Sequence, residues 1–461
     1  MDIERRARRQ SLRIILSEVI MVIAVIATVS ILALVVSGYW VNSDFKIERQ
    51  GLLQIYSTPT GADVEIDNSP ASWLQRTNTS KTLSAGEHSI KLTKEGYDSW
   101  SRTINITEGL LYRLHYPRLF LNNRTVEVAF DFPGNFATVS PDRNTMLLSN
   151  NTTTWQTFNL DSDSATPKSL ELIDILPFSN HAESATTGLF TGQIKTADWA
   201  ADNEHVLLRI ENEGAASWLI LNTKNPSNSF NLTKEFNANF SKVEILDSSA
   251  NNLLVILDGN LHRVDVPAKQ ISAILAENVK SFDYYNQEVV FSTPDVISIL
   301  KLGNGEVTKL QDIDTPSDVI VTKFYDEEYI GVVRNGSITL YLKNNFEEKN
   351  NFAFNIEPAN IKVGQDGEFI AIYNGGNVAT LDLESMELTE WTTETDSFGW
   401  LDGSMIYAVK DGGLNVYDFD GLNHRLLSSN VSSHFPVTIT ADKYLYYFRD
   451  GSLIREYLYE K

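Results

Sequence analysis

The chain has 461 residues, no cysteine and a formal net charge of −22. That length allows two or three domains with separate cores. The acidic balance argues against nucleic acid as a partner, since binding phosphates takes clustered Lys and Arg, and the missing cysteine removes disulfides, thiolate metal sites and Cys nucleophiles. Hydrophobic content of 42% is that of an ordinary globular protein, neither disordered nor polytopic in a membrane.

Residues 1–13 are basic, with Arg5, Arg6, Arg8, Arg9 and Arg13 against Asp2 and Glu4. Ile14–Val36 is then almost wholly apolar. As a helix rising about 1.5 Å per residue it would cover the roughly 30 Å hydrocarbon core. Tyr39 and Trp40 follow where amphipathic rings settle at a headgroup layer. The arginines predict a cytoplasmic N-terminus and an extracytoplasmic remainder. A cleaved signal peptide would have a shorter apolar region and a small-residue cleavage site, which Val36-Ser37-Gly38 does not supply. The expected organisation is a cytoplasmic tail (1–13), a transmembrane helix (14–38), a connector (39–50), a small β-sandwich (51–120) and a β-propeller (124–461). The fold class is all-β apart from that one helix.

In the sandwich region, short strands are predicted at Leu52–Tyr56, Val64–Ile66, His88–Leu92, Trp100–Ile106 and Leu110–Leu114, separated by turns rich in Gly, Pro and Asn. His88 is read as a surface histidine facing away from the core. The order Leu52-Leu53-Gln54-Ile55, Thr58-Pro59-Thr60-Gly61-Ala62-Asp63-Val64-Glu65-Ile66-Asp67, Ala85-Gly86-Glu87-His88-Ser89-Ile90 and Lys94-Glu95-Gly96-Tyr97 resembles the PEGA domain family over about 51–117. The namesake tetrapeptide reads Pro59-Thr60-Gly61-Ala62, and Asn68 stands where the family usually has Gly. The resemblance implies an envelope protein and no catalysis.

Beyond Phe136 a unit recurs about every 40 residues, the period of a propeller blade of four short antiparallel strands. Its first turn falls at Ser140-Pro141-Asp142, Asp202-Asn203, Asp247-Ser248-Ser249, Tyr285-Asn286, Tyr325-Asp326-Glu327, Gln365-Asp366-Gly367, Leu401-Asp402-Gly403 and Ala441-Asp442-Lys443. Each is followed by an apolar run such as Val206–Ile210 or Phe369–Tyr373, and several of these lead into hairpin signals such as Asp258-Gly259, Asp411-Gly412 and Asp450-Gly451. Eight blades are expected, or seven if the degenerate unit near Tyr284 merges with a neighbour. The last unit ends after its third strand, and the alternating Val126, Val128, Phe130 and Phe132 are predicted to supply the fourth. An insertion is placed within Asp161–Gly192. The Ser140-Pro141-Asp142 and Gln365-Asp366-Gly367 turns resemble those of TolB-like and WD-repeat-like propellers.

No phosphate loop, His-Glu-x-x-His helix or Gly-x-Ser-x-Gly elbow is present. His181, His205, His262, His424 and His434 share no spacing and are read as structural or surface residues. Asp161 and Asp163 have the carboxylates of a calcium loop without its Gly and distal Glu. Trp155, Trp199, Trp218, Trp391 and Trp400 suit sugar stacking, but the matched positions of Trp199 and Trp400 favour packing between blades. No catalytic, cofactor-binding or metal residue is assigned, and no cofactor is expected. The reading is a membrane-anchored, non-enzymatic envelope protein whose propeller presents loops to an envelope protein or a cell-wall glycan. The alternative is an extracytoplasmic hydrolase or lyase with its site at the channel mouth, which would need convergent acid and base residues.

Overall fold

The computed structural model describes residues 17–30, 32–33, 39–41, 47–70, 76–150, 152–162, 165–177, 190, 192–212, 214–315, 317–357 and 360–458. It divides into two compact units, Met1–Asn123 and Arg124–Lys461.

In the first unit residues 17–30 are helical, and no described helix is long and apolar enough to cross a membrane. The expected span Ile14–Val36 includes residues 14–16, 31 and 34–36, which lie outside the described ones. The connector is more ordered than its polarity suggested: Tyr39–Val41 pairs antiparallel with Ile47–Arg49.

The small sandwich has one sheet of three strands and one of four. In the first, Gly51–Ile55 lies between antiparallel Thr79–Leu83 and parallel Leu111–Leu114. In the second, Asp63–Ile66 and Gly86–Thr93 pair antiparallel, flanked by Ser69–Pro70 and Trp100–Ile106. Leu53, Ile55, Val64, Ile90, Leu92, Trp100 and Ile104 are buried. The strand Thr79–Leu83 escapes a sequence reading because only Leu83 on it is buried. Asp67 and Asn68 both have positive φ, 52° and 59°, so the left-handed turn usually given to glycine is met by Asn68.

His88 corrects an expectation. Side chains two apart share a face of a strand, so His88 lies with Ile90 and Leu92, and all three are buried. Its Nδ1 is 2.7 Å from Asp67 Oδ2 and its Nε2 is 2.9 Å from the Ser84 carbonyl oxygen. The hydrogen bond from His88 holds the Asp67 carboxyl below its usual range. This is a buried polar group satisfied on both sides, as burial demands.

Among the described residues the second unit is a ring of eight four-stranded antiparallel sheets, which decides for eight blades over seven. The inner strands, in blade order, are Phe136–Val139, Gln193–Trp199, Phe240–Ile245, Ser281–Tyr285, Asp318–Phe324, Asn360–Val363, Ser397–Trp400 and Thr438–Thr440. Second strands read as continuous apolar runs because both faces are covered. In Phe369–Asn374, Ile370 and Ile372 pack toward blade 5, while Ala371 and Tyr373 pack toward blade 7. At Asp258-Gly259, Asp411-Gly412 and Asp450-Gly451 both residues have positive φ, between 48° and 79°, as a two-residue type I′ hairpin requires.

Val126–Asp131 pairs antiparallel with Ser452–Tyr457, so the strand preceding blade 1 completes blade 8. Ion pairs clasp this closure. Arg455 Nε donates to Glu127 Oε1 at 2.6 Å, the Tyr457 hydroxyl donates to the same oxygen at 2.9 Å, and Arg124 pairs with the buried Glu456. The expected insertion Asp161–Gly192 contains the outer strand of blade 1, Lys168–Glu171. Asp163 and His181 lie outside the described residues, and Asp161 is exposed.

A polar arc in the propeller channel

The pairing register makes positions on successive inner strands comparable. Thr138 pairs with Leu147, Asp198 with Leu207, Glu244 with Leu254, Asp283 with Val290 and Lys362 with Ala371. In each pair the second-strand partner is packed into the core shared with the following blade. The five inner-strand residues therefore occupy one level of the ring. Carboxylates fill that level on the consecutive blades 2, 3 and 4, and a lysine on blade 6.

The carboxylates stand open to the channel, with 32% of the Glu244 side chain accessible. The channel is itself walled by protein, and this enclosure sets their acidity. Burial pushes Asp198 up against the opposing charges of Lys362 and Lys242. Glu244 is pushed up to about 7, chiefly by burial, with Lys242 opposing and the Asp283 and Asp198 charges adding. Burial also raises Asp283, although the backbone N–H groups of Val321 and Tyr284 donate to its two oxygens at 2.6 and 2.7 Å. The Lys242 ammonium is committed locally. It lies 2.9 Å from Glu244 Oε1, donates to the Phe282 carbonyl at 2.6 Å and sits 4.1 Å from the Phe282 ring centre.

A cavity of about 530 Å³ opens from this arc between blades 2 and 3, lined by Asp198, Trp199, Arg209, Trp218, Lys242 and Glu244 among others. Its polar wall follows from one row of blade 2, in which Thr196, Arg209 and Trp218 are cross-strand neighbours. Blade 3 carries Ile256 where blade 2 carries Arg209. Arg209 lies 6.0 Å from the Trp218 ring and pairs with Glu211 at 2.5 Å, while its buried Nε has no acceptor.

At the end of the channel where the inner strands finish, the turns are tied together. Arg143 donates to the Gln365 side-chain oxygen, Gln365 Nε2 donates to the Pro141 carbonyl at 2.8 Å, and the Asp142 N–H donates to Asn203 Oδ1 at 3.0 Å. Thr440 Oγ1 donates to the Arg143 carbonyl at 2.7 Å. Turns of blades 1, 2, 6 and 8 are thus linked at that end.

The tryptophans are blade staples. Trp199 Nε1 donates to Thr138 Oγ1 at 3.2 Å and Trp400 Nε1 to the Lys362 carbonyl at 3.3 Å, each reaching the preceding blade. Trp218 and Trp391 reach forward, to the carbonyls of Phe240 at 2.9 Å and Phe419 at 3.1 Å. Trp155 is fully buried. Packing between blades is therefore what these residues do, yet Trp199 and Trp218 also wall the cavity. His205 bonds to Asp202 and Asn222, His262 to the Ser272 carbonyl and His424 to Asn415. His434 is exposed in the segment before blade 8. Sequence reasoning missed the arc itself. Part of its signal is a polar residue four before the turn aspartate, in Thr138–Asp142, Asp198–Asp202 and Lys362–Asp366, but Glu244 precedes Asp247 by three.

Together, the cavity and the arc can accept hydrogen bonds from hydroxyl or ammonium groups, and Glu244 can hold a proton near neutral pH.

Residues 50–118 match the PEGA domain. No curated protein matches the chain. Among solved structures, the chain is similar to the Dos1 propeller (12% identity, 72% of this chain and 95% of that one, TM-score 0.46). It is also similar to the computationally designed Ika8 protein (10%, 72% and 97%, TM-score 0.43) and to Hsv2 of Kluyveromyces lactis (10%, 65% and 99%, TM-score 0.42). The chain thus carries a PEGA domain at residues 50–118 followed by an eight-bladed β-propeller.

Proposed function

We propose that this is a membrane-anchored, extracytoplasmic binding protein of the cell envelope, whose propeller holds a protein or glycan partner. The observation that carries the binding role is the charged arc of Asp198, Glu244 and Asp283 beside an interblade cavity. A ring selected for stability alone would fill these enclosed positions with apolar or small residues, since enclosing charge is unfavourable. The basic residues 1–13 and apolar Ile14–Val36 support anchoring with the propeller outside. The PEGA domain is then the module between anchor and propeller.

The test is a crosslinking pulldown from intact cells of the native host. It compares the full chain with the isosteric triple variant Asp198→Asn, Glu244→Gln, Asp283→Asn. Loss of a captured envelope component in the variant is expected. Equal capture by both would remove the channel from the account, and proteolysis of the propeller only from the cytoplasmic side would remove the placement.

A second reading, an envelope hydrolase or lyase, draws on Glu244 alone. A carboxyl that keeps its proton to about pH 7 is matched to general-acid work. It requires turnover of an envelope polymer that Glu244→Gln abolishes.

A further inference from the structure

The wider surface offers less than the channel. The cavity between blades 4 and 5 contains Lys343, whose ammonium is already held by Glu288 at 2.9 Å and Glu328 at 2.8 Å. Exposed apolar residues on the outer strands, such as Val128 and Leu426, come with nothing to indicate what would cover them. The cavity between blades 2 and 3 differs, because its groups are specific in both shape and charge.

Trp199 is a partly open indole whose N–H is already satisfied by Thr138. Its orientation is therefore fixed, and it needs nothing polar from a ligand. A flat, rigid, partly exposed aromatic face suits the apolar face of a pyranose ring, gaining contact area at little entropic cost. Trp218, only 5% exposed, forms the back wall. The Arg209 guanidinium, partly exposed and paired with Glu211, adds hydrogen-bond donors to the cavity lining. The volume of about 530 Å³ falls in the range of small-molecule sites and exceeds what one sugar ring fills.

Charge selects among sugars. Asp198 and Glu244 line the cavity, and Lys242, which lines it too, is engaged with Glu244 and the Phe282 carbonyl. An acidic sugar would add like charge to an enclosed site. A neutral one would leave Asp198 with no direct cationic partner, opposed only by the charges of Lys362 and Lys242. An ammonium between Asp198 and Glu244 would make charge-assisted hydrogen bonds, the stronger kind.

We infer that the cavity between blades 2 and 3 binds a glycan segment carrying a free amino group, with a sugar ring against Trp199 and its ammonium between Asp198 and Glu244. This rests on the binding reading above and names its ligand class.

The test titrates the full chain in detergent with a glucosamine trimer, its fully N-acetylated counterpart and spermidine, followed by calorimetry and tryptophan fluorescence. The glucosamine trimer is expected to bind and to perturb the fluorescence. N-acetylation, Asp198→Asn and Glu244→Gln should each weaken it by about tenfold or more, the usual worth of a charged hydrogen bond. Glu306→Gln, at an exposed position on blade 4, is the control and should change nothing. Circular dichroism melts of both cavity variants establish that they fold. Equal affinity for the acetylated trimer would overturn the amine. Equal affinity for spermidine would overturn the sugar ring. Indifference of folded Asp198→Asn and Glu244→Gln would overturn the location. If no trimer binds while capture from cells still depends on the three carboxylates, this inference fails and the binding reading stands. If both fail, both are wrong.

Discussion

The seam between blades 8 and 1 and the seam between blades 2 and 3 are built on the same plan and filled differently. At the first, Phe132, Met146, Leu148, Phe158, Tyr444, Tyr446 and Phe448 are packed with almost no exposure. Its charged pair, Arg455 with Glu127, is held across the closing strand. At the second, Leu207, Ile220, Val243 and Leu253 belong to an apolar cluster of similar extent, but the channel side is given to Asp198, Arg209, Lys242 and Glu244 around a cavity. Near-equivalent interfaces allow one to hold the ring shut while another adds polar groups around a cavity. A cavity and enclosed charge both reduce stability, so the second seam is where a role other than stability is expected.

That contrast can be broken most forcefully at the closure. Arg455→Ala leaves Glu127 without its cation and unties the last blade, so urea unfolding should show a loss of about 3 kcal/mol. A loss below 1 kcal/mol would mean that the clasp is ornamental. Next is Lys343, a cation whose side chain is only 4% exposed and which bridges blades 4 and 5. Lys343→Met leaves Glu288 and Glu328 facing each other and should cost about 2 kcal/mol, an effect that shrinks in high salt if the repulsion between the carboxylates is its source.

The paired tryptophans sharpen the comparison. Trp199→Phe and Trp400→Phe each remove one indole hydrogen bond to the preceding blade and should each lower stability by about 1 kcal/mol. Only Trp199→Phe should also weaken ligand binding, because only Trp199 lines the cavity. Equal binding by the two variants would argue that Trp199 is a staple and nothing more.

The smallest expected effect is a pH dependence. Glu244 keeps its proton to about pH 7 in the folded state, against 4.5 as its ordinary value. Between those values the folded protein binds more protons than the unfolded one. Stability from this group is therefore highest below 4.5 and falls as pH rises through about 7. Asp198 and Asp283, both raised, act with the same sign. Glu244→Gln should narrow the difference in melting temperature between pH 5 and pH 8. An unchanged difference would show that Glu244 is not held as described.

Much of the ring was legible because its second strands are buried on both faces and its turns need particular residues. Asp258-Gly259 and Asp450-Gly451 announce hairpins by their backbone demands. The closing strand was legible by alternation, although Val126 and Val128 are 43% and 57% exposed and a register shift separates Val128 from Phe130. An outer strand such as Phe230–Asn231 is too short to carry a pattern. The channel arc was not legible, for a different reason. Asp198, Glu244 and Asp283 are single residues on strands whose surroundings differ, and their equivalence appears only when pairing with Leu207, Leu254 and Val290 aligns them. His88 is polar in type, yet its period of two places it with Ile90 and Leu92 on the buried face.

The most direct measurement is hydrogen–deuterium exchange on the full chain with and without the glucosamine trimer. The account predicts slower exchange confined to the inner strands Gln193–Trp199 and Phe240–Ile245 and the adjoining strand containing Arg209, with the seam between blades 8 and 1 unchanged. Protection confined to another part of the ring, or to the PEGA domain, would contradict it.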